Sequence, residues 1–440
     1  VAGVGRIIQM DDLSSECPSE DLSPLDIAVI SLHTSPLAQP GVDDSGGMNV
    51  YVKELAYASA HLGHNNTIYV RCNSADADAS QADASQVVEV EPGVRLVMIP
   101  AGDPNLTKEQ LQAVLPEFVD KVLQDIASRG GVDMIHAHYW LSGLAGHVIK
   151  HELDRPLLTN FHTLARAKWG EDQQTHRSEA EQTIMDCSDR ILVTCESERY
   201  QVLDHYEVSP ERISVVAPGV EHAYFSPGTQ QAARQALGLG DGPILLFAGR
   251  INPLKNPTLA VEALFELKAL SQDMSQAQLV IVGGPSGPDG KAEMQFLQAT
   301  AESLGVMSQI RLVSPQSHRI LSSYYRAADV VLIPSYSESF GLVALEAAAC
   351  GTPVVAADVG GLSSLVDHGR TGFLVPGFGV GMSQSYAEFV AEILNDTTLA
   401  AELSRNAAEM AARFSWQKSG KMLEQVYAAV SNASVVDCLV

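Results

Sequence analysis

The sequence has no apolar run approaching the roughly 18 to 20 residues that a helical membrane span needs. Its longest candidates are strand-sized, such as Pro243–Ala248, so it does not read as an integral membrane protein. Basic residues are scarce: 28 Lys and Arg stand against 53 Asp and Glu, for a formal net charge of -25. Nucleic acid and anionic lipid would meet a repulsive average field, so any anionic substrate must be met by a local cluster of cations. The six cysteines (Cys17, Cys72, Cys187, Cys195, Cys350, Cys438) form no CxxC pair and no metal-ligand spacing. They read as reduced thiols in a cytoplasmic setting. The first residues turn acidic where a signal peptide needs an apolar core, so secretion is not expected. Neither a G-x-G-x-x-G fingerprint nor a Walker loop occurs.

What is present is a soluble globular composition, 46% hydrophobic and 18% charged, over a length of 440 residues that exceeds what one core usually organises. Two domains of roughly 200 residues follow. From Leu25 onward a short β-branched run, a turn and an amphipathic helix recur, which predicts parallel sheets wrapped by helices. The first set of strands is predicted at 26–32, 67–71, 94–99, 134–138, 157–161, 191–194 and 213–216. The second set is predicted at 244–248, 279–282, 310–313, 330–333, 354–357 and 373–375. Between them, 217–228 (APGVEHAYFSPG) is rich in proline and glycine and reads as the linker. The expected organisation is an N-terminal arm over 1–24, a first domain over 25–220, a second over 221–414, and a final helical segment, 415–440, packing back on the first. The low-complexity stretch 73–86 (NSADADASQADASQ) reads as a surface loop.

Three motifs carry chemistry. After the first strand, His33 to Gly41 and then Asp44, Ser45, Gly46, Gly47, Met48 and Asn49 open a helix. Paired glycines at a helix start admit close backbone approach and present N–H groups to an anion; a glycine turn that merely packs helix on strand is the other reading. After the first strand of the second domain comes Gly249-Arg250-Ile251-Asn252-Pro253-Leu254-Lys255. The carboxyl end of a parallel strand is where such sheets bind ligands, and Arg with Lys five residues on can grip a diphosphate from two directions. A solvated basic loop is the plain alternative. The most specific motif is Ser335 to Glu346, leading into Ala347 to Pro353. Glu338 falls in a loop and Glu346 about two turns into the next helix, so both can accept hydrogen bonds from vicinal hydroxyls. A Glu among Leu, Val and Ala is seldom there for solubility.

With these residues in hand, the chain resembles the retaining glycosyltransferases of family four, of GT-B architecture: two Rossmann-like α/β domains facing each other across a cleft. SLHTSPLAQPG, DSGGMNVYV, HAHYWLSG, FHTLARAK, GRINPLK, GGPSGP, YRAAD and SESFGLVALEA carry the resemblance, which runs from about Asp26 to Val430. It is strongest toward members that transfer N-acetylglucosamine from UDP-GlcNAc to 1D-myo-inositol 3-phosphate in mycothiol biosynthesis. The resemblance implies that Gln39, Pro40 and Gly47 line the donor, that Arg250 and Lys255 hold its diphosphate, and that backbone near Gln316 meets uracil. Glu338 would bind the donor sugar and Glu346 the ribose. His33, Asp44 to Asn49, Lys108, Tyr139, Thr163 and Arg177 match the inositol phosphate contacts. The match to FHTL places His162 beside the sugar as a hydrogen-bonding group. A structural magnesium ion is implied near Tyr325, Arg326, Ala328 and Thr352.

No enzymic nucleophile suggests itself for the face opposite the leaving group, so front-face substitution is expected, with no cofactor in the chemistry. No D-x-D-like pair stands among these motifs, so a catalytic metal is not implied. Two stretches, 107–120 (TKEQLQAVLPEFVD) and 176–181 (HRSEAE), also resemble sucrose-phosphate synthases, whose acceptor is a sugar phosphate. A UDP-sugar epimerase and a non-catalytic nucleotide-sugar sensor are the remaining readings. Oligomeric state, homodimer included, is left open.

Overall fold

The computed structural model describes residues 22–41, 45–72, 85–167, 175–270, 272–377, 379 and 381–438. The expected N-terminal arm and the loop over 73–86 lie almost wholly outside the described residues, as does Asp44. The chain divides into two compact units. One holds Met48–Ala217 and Trp416–Val440 together with the first strand; the other holds Pro218–Ser415 and takes in the described part of Gln39–Gly47.

The first unit is built on β1 (Asp26–Ile30), β2 (Asn65–Arg71), β3 (Gln86–Glu91), β4 (Val94–Ile99), β5 (Met134–His138), β6 (Leu157–Asn160), β7 (Arg190–Val193) and β8 (Ile213–Val215). Their order is β3-β4-β2-β1-β5-β6-β7-β8. All pairs are parallel except β3 with β4. Strand alternation divides the core between the two faces of this sheet: Ile27 and Val29 point into one cluster, Ala28 and Ile30 into the other. Helices α1 (Gly47–His61), α2 (Leu115–Ser128), α3 (Trp140–Leu153), α4 (Thr175–Cys187) and α5 (Glu196–His205) connect the strands. Edge strand β3 escapes the sequence reading, because Val87 and Val88 lie outward and exposed and an exposed edge lacks a buried apolar run.

The second unit holds β9 (Ile244–Ala248), β10 (Gln278–Val282), β11 (Ile310–Val313), β12 (Val330–Ile333), β13 (Val354–Ala357) and β14 (Gly372–Val375), in the all-parallel order β11-β10-β9-β12-β13-β14. Its helices are α6 (Gln230–Leu237), α7 (Pro257–Leu270), α8 (Gly290–Ser303), α9 (His318–Ala327), α10 (Leu342–Ala349), α11 (Leu362–Leu365), α12 (Met382–Asn395) and α13 (Thr397–Ala411). The four inner strands, β10, β9, β12 and β13, are buried on both faces, which explains their near-continuous Val, Ile and Leu runs. The final helix, α14 (Trp416–Ser431), returns to the first unit. There Trp416, Leu423, Val426, Tyr427 and Val430 join the cluster beneath α1.

Both sheets reverse strand order once. The chain leaves β1 toward β2 on one side and β5 lies on the other; β9 likewise has β10 and β12 as neighbours. Open α/β sheets bind ligands outside the strand ends at such a reversal. The loops after β1, β5, β9 and β12 are therefore the ones to inspect.

One expectation is corrected outright. Cys187 and Cys438, 251 positions apart in sequence, are joined as a disulfide, with Cα atoms 5.2 Å apart. Local spacing carries no signal for a pair brought together by the return of the C-terminus. Cys72, Cys195 and Cys350 are outside any disulfide, as expected.

Candidate active site

In the second unit, β9 runs fully buried to Ala248 and delivers Arg250 and Lys255 at the strand-order reversal. The turn is held locally: the Asn252 side chain accepts a hydrogen bond from the Lys255 amide at 3.1 Å, and Asn256 adopts a left-handed φ of 48°. From the neighbouring β12 comes Glu338, whose carboxylate bonds the Lys255 ammonium. Its own carbonyl accepts from the Gly361 amide at 3.0 Å. The two charges assigned to diphosphate and sugar thus meet across the reversal. Gly46 lies against the Arg250 side chain, where a Cβ would come within 3.2 Å of Nε; Gly47 lies against Leu342.

Helix α10 begins at Leu342, so Glu346 sits about one turn into it, not two. The helix starts later than the sequence suggests because Gly341, at φ 101°, still belongs to the turn. Glu346 is buried, accepts the Tyr325 hydroxyl at 2.8 Å, and has His318 Nε2 4.0 Å from its other oxygen. Burial pushes its carboxyl up to about 7, against the lowering effect of the Tyr325 hydrogen bond. Gln39 donates to the Gln316 carbonyl at 2.8 Å, and Gly41 next to Pro40 packs on Pro315, so these residues, expected at the donor, lie together.

In the first unit, Tyr139 follows β5 with φ 78° and ψ 153°, a conformation side-chain-bearing residues rarely adopt. Its amide donates to the Asn160 carbonyl at 2.7 Å. Around its ring stand His33 at 4.6 Å between centroids, Lys108 Nζ at 4.3 Å and the Arg177 guanidinium at 5.0 Å. Arg177 also donates to the Thr163 hydroxyl at 3.1 Å. Lys108, Tyr139, Thr163 and Arg177, read from four separate stretches of sequence, therefore form one cluster. In the first turn of α1, Asn49 is buried and bonds Thr34 Oγ1 at 2.7 Å and the Ser35 carbonyl at 2.8 Å, shaping the loop after β1. Met48 packs against both core clusters. In the second unit, buried Ser45 accepts the Gly41 amide on its carbonyl at 2.9 Å. Asn49, Met48 and Ser45 thus shape their own units more than they offer ligand groups.

His162, at φ 61°, follows β6 and places Nε2 3.1 Å from His138 Nδ1. Burial, assisted by the nearby His136, pushes it down to about 3, so it is neutral at pH 7 and suited to hydrogen bonding more than to proton transfer. Sequence reasoning missed Glu181. This fully buried carboxylate accepts from Arg177 Nε at 2.7 Å, from the Ala165 amide at 2.9 Å and from the Tyr206 hydroxyl, and so aims the guanidinium. The i, i+4 spacing of Arg177 and Glu181 was the available signal.

The residues assigned to magnesium do lie together, but they offer no carboxylate. The Tyr325 carbonyl already accepts the Thr352 hydroxyl at 2.7 Å, the Ala328 carbonyl accepts Gln230 at 3.1 Å, and the Arg326 guanidinium donates to Tyr224 and Ser226 carbonyls. Such a neutral, occupied set beside a cation fits a hard divalent ion poorly.

Residues 45–224 match the family described as Glycosyltransferase Family 4, and residues 229–410 match Glycosyl transferases group 1. The two parallel-sheet domains with these loops define a GT-B glycosyltransferase. The chain is 41% identical over 415 residues to D-inositol 3-phosphate glycosyltransferase 2 of Catenulispora acidiphila, covering 92% of this chain and 95% of the relative. It is 42% identical over 404 residues to D-inositol 3-phosphate glycosyltransferase of Mycolicibacterium smegmatis, covering 90% and 88%. Among solved structures, sucrose-phosphate synthase from Thermosynechococcus elongatus superposes with a TM-score of 0.82 at 31% identity, covering 92% of this chain and 98% of that one. The chain belongs to the family-four glycosyltransferases, in the group that holds the D-inositol 3-phosphate glycosyltransferases.

Proposed function

We propose that the protein transfers N-acetylglucosamine from UDP-GlcNAc to 1D-myo-inositol 3-phosphate with retention, releasing UDP in the cytoplasm. The observation that carries this reading is the convergence of Lys108 and Arg177 on the ring of Tyr139, with the Thr163 hydroxyl bonded to Arg177. A protein of net charge -25 has no general reason to gather two cations around one ring, and a phosphate dianion is the ligand that rewards it. The names of the relatives support the same acceptor.

The donor diphosphate would lie along Arg250, Lys255 and the Gly46-Gly47 turn, with its sugar on Glu338 and its ribose on Glu346. In the transfer, the acceptor hydroxyl oxygen bonds to the anomeric carbon while the bond from that carbon to the diphosphate oxygen breaks. The hydroxyl proton passes to the departing oxygen on the same face, and Arg250 and Lys255 stabilise the charge gathering there. Neutral His162 orients the sugar. No step is routed through a metal.

A second reading, transfer from UDP-glucose to a sugar phosphate, is favoured by the likeness to sucrose-phosphate synthase, since the same cation pair suits fructose 6-phosphate. Assaying UDP-GlcNAc and UDP-glucose each against inositol 3-phosphate and fructose 6-phosphate decides between them. Turnover restricted to the first donor with the first acceptor is the expected result; preference for fructose 6-phosphate selects the second reading. UDP formation or donor epimerisation without any acceptor would remove both.

A further inference from the structure

The C-terminal ends of α3 and α4 meet the last described residues of the chain at a cluster outside the candidate active site. His147 and His151 are one turn apart on α3, Cys187 is the last residue of α4, and Cys438 comes from the tail beyond α14. The four ligand atoms all lie within 4.8 Å of one another. His151 Nε2 is 3.2 Å from Cys438 Sγ and 3.3 Å from Cys187 Sγ, and the two imidazole rings are 4.9 Å apart. Two thiolates and two imidazoles on the corners of a small tetrahedron are the ligand set of a zinc site; bonds of about 2.3 Å to sulfur and 2.0 Å to nitrogen imply ligand separations of roughly 3.3 to 3.8 Å. His151 already stands at about that distance from both sulfurs, and opening the disulfide lets the two sulfurs separate to reach it.

The surroundings hold this arrangement in place. Asp189 accepts Lys150 Nζ and the Leu157 amide on one carboxylate oxygen, each at 2.7 Å, and the Val436 amide on the other at 2.6 Å. Lys150 also donates to the Cys187 carbonyl at 2.7 Å. One buried carboxylate therefore fixes the residue before His151, the strand after α3 and the tail two residues before Cys438. A framework prepared around ligands is what distinguishes a built site from chance proximity.

We propose that His147, His151, Cys187 and Cys438 bind a structural zinc ion when the two cysteines are reduced, clasping the C-terminal tail to α3 and α4. The disulfide is the oxidised form of the same site. A dithiol reductant supplies the two electrons and two protons that open it, becoming a disulfide itself, and zinc binding then displaces the two thiol protons. Softer thiolate and imidazole ligands in tetrahedral array select zinc over magnesium or calcium. The clasp joins the far ends of the two helices whose other ends carry the acceptor cluster, Tyr139 just before α3 and Arg177 in the first turn of α4. Over the 14 residues of α3 that separation is roughly 20 Å, so the clasp steadies the cluster without touching a ligand there.

The test is metal analysis of the full-length chain, reduced with excess dithiol under anaerobic conditions, freed of small molecules, incubated with zinc chloride and desalted. One tightly held zinc per chain is expected, and cobalt in its place should give the intense visible bands and thiolate charge transfer of a tetrahedral S2N2 site. Cys438→Ser and His151→Ala, at positions that contribute little to the core, should each weaken zinc by at least tenfold, whereas Cys72→Ser should leave it unchanged. Alkylation should label Cys187 and Cys438 after chelation and spare them in the zinc-loaded protein. Reduced, folded protein that takes up no zinc overturns the proposal, and so does zinc held equally by the parent and by both site variants. Zinc uptake with the cobalt spectrum of an all-oxygen site would likewise overturn it.

Discussion

Arg177 answers to two charges: the buried Glu181 that positions it and, on the proposed reading, the acceptor phosphate. Removing it takes away a charge-assisted contact worth about 1.5 to 3 kcal/mol, so Arg177→Ala should lower kcat/KM for the phosphorylated acceptor roughly 10- to 100-fold while leaving UDP affinity unchanged. Because the same change strands Glu181, Lys108→Ala serves beside it, leaving that pair intact. Both variants should discriminate less between inositol 3-phosphate and free inositol than the parent does; a parent that uses free inositol equally well would exclude the phosphate site. Glu346 offers a second residue-level test. Ribose hydroxyls donate to a carboxylate, but burial holds this one near 7, so part of the population is protonated at neutral pH. Nucleotide binding then has to expel a proton. UDP affinity should weaken by up to about tenfold per pH unit below 7, and Glu346→Gln should give a weaker but flat profile. Calorimetric titration at pH 5.5, 6.5 and 7.5 reads both, and a parent profile as flat as the variant's would remove Glu346 from the ribose site.

At the level of elements, close packing between α14 and α1 depends on Gly420. A Cβ there would stand 2.9 Å from that of Ala58 and 3.2 Å from its carbonyl oxygen, while Trp416 and Leu423 on the same helix are buried against α1. Gly420→Val should therefore destabilise the unit holding the eight-stranded sheet by about 1 to 3 kcal/mol, the usual cost of overpacking. Urea unfolding followed by tryptophan emission checks this; no shift in midpoint would show that the helices can separate freely. The elements themselves were largely legible beforehand, since a parallel strand buried on both faces announces itself as a Val, Ile and Leu run. Among the described residues, thirteen of the fourteen strands coincide with β-branched runs of the sequence, and β3, half exposed at an edge, does not. The grouping of Lys108, Tyr139, Thr163 and Arg177 was foreshadowed by the family resemblance, which assigned all four to one ligand. Glu181 was not, because a lone helical carboxylate looks solvated until its burial is seen. The Cys187 and Cys438 pair was equally hidden, for their proximity is a product of how α14 returns.

Considered whole, the chain joins two units with different balances of buried ionisable groups: in the first, His136, His138 and His162 are pushed down and only partly offset by Glu198, which burial raises, while in the second Glu346 is raised. The first contains His136 and His138, both 1% exposed. Burial pushes His136 down to about 4, and burial together with the neighbouring His136 and His162 keeps His138 well below its ordinary value. The unfolded chain takes up these protons near 6.5 and the folded unit does not, so its stability is full above 6.5 and falls as pH drops toward 4. Each such histidine contributes a slope of up to about 1.4 kcal/mol per pH unit. The second unit contains Glu346, raised to about 7. There the folded state holds the extra proton between 7 and 4.5, so lowering pH through that window stabilises it with the reverse slope. Acidification also trims the net charge of -25, but that relief is spread over exposed groups and largely screened at physiological salt, so it does not cancel a difference between units. Scanning calorimetry in 0.15 M salt should accordingly show unfolding transitions that move apart between pH 7.5 and 5, the unit with the eight-stranded sheet melting progressively earlier. His136→Gln, which keeps a neutral polar side chain beside Asn160 and Tyr427, should reduce the pH dependence of that transition alone. Transitions that keep a fixed separation across this range, or an earlier one that moves up in acid, would show that these buried groups do not govern the response.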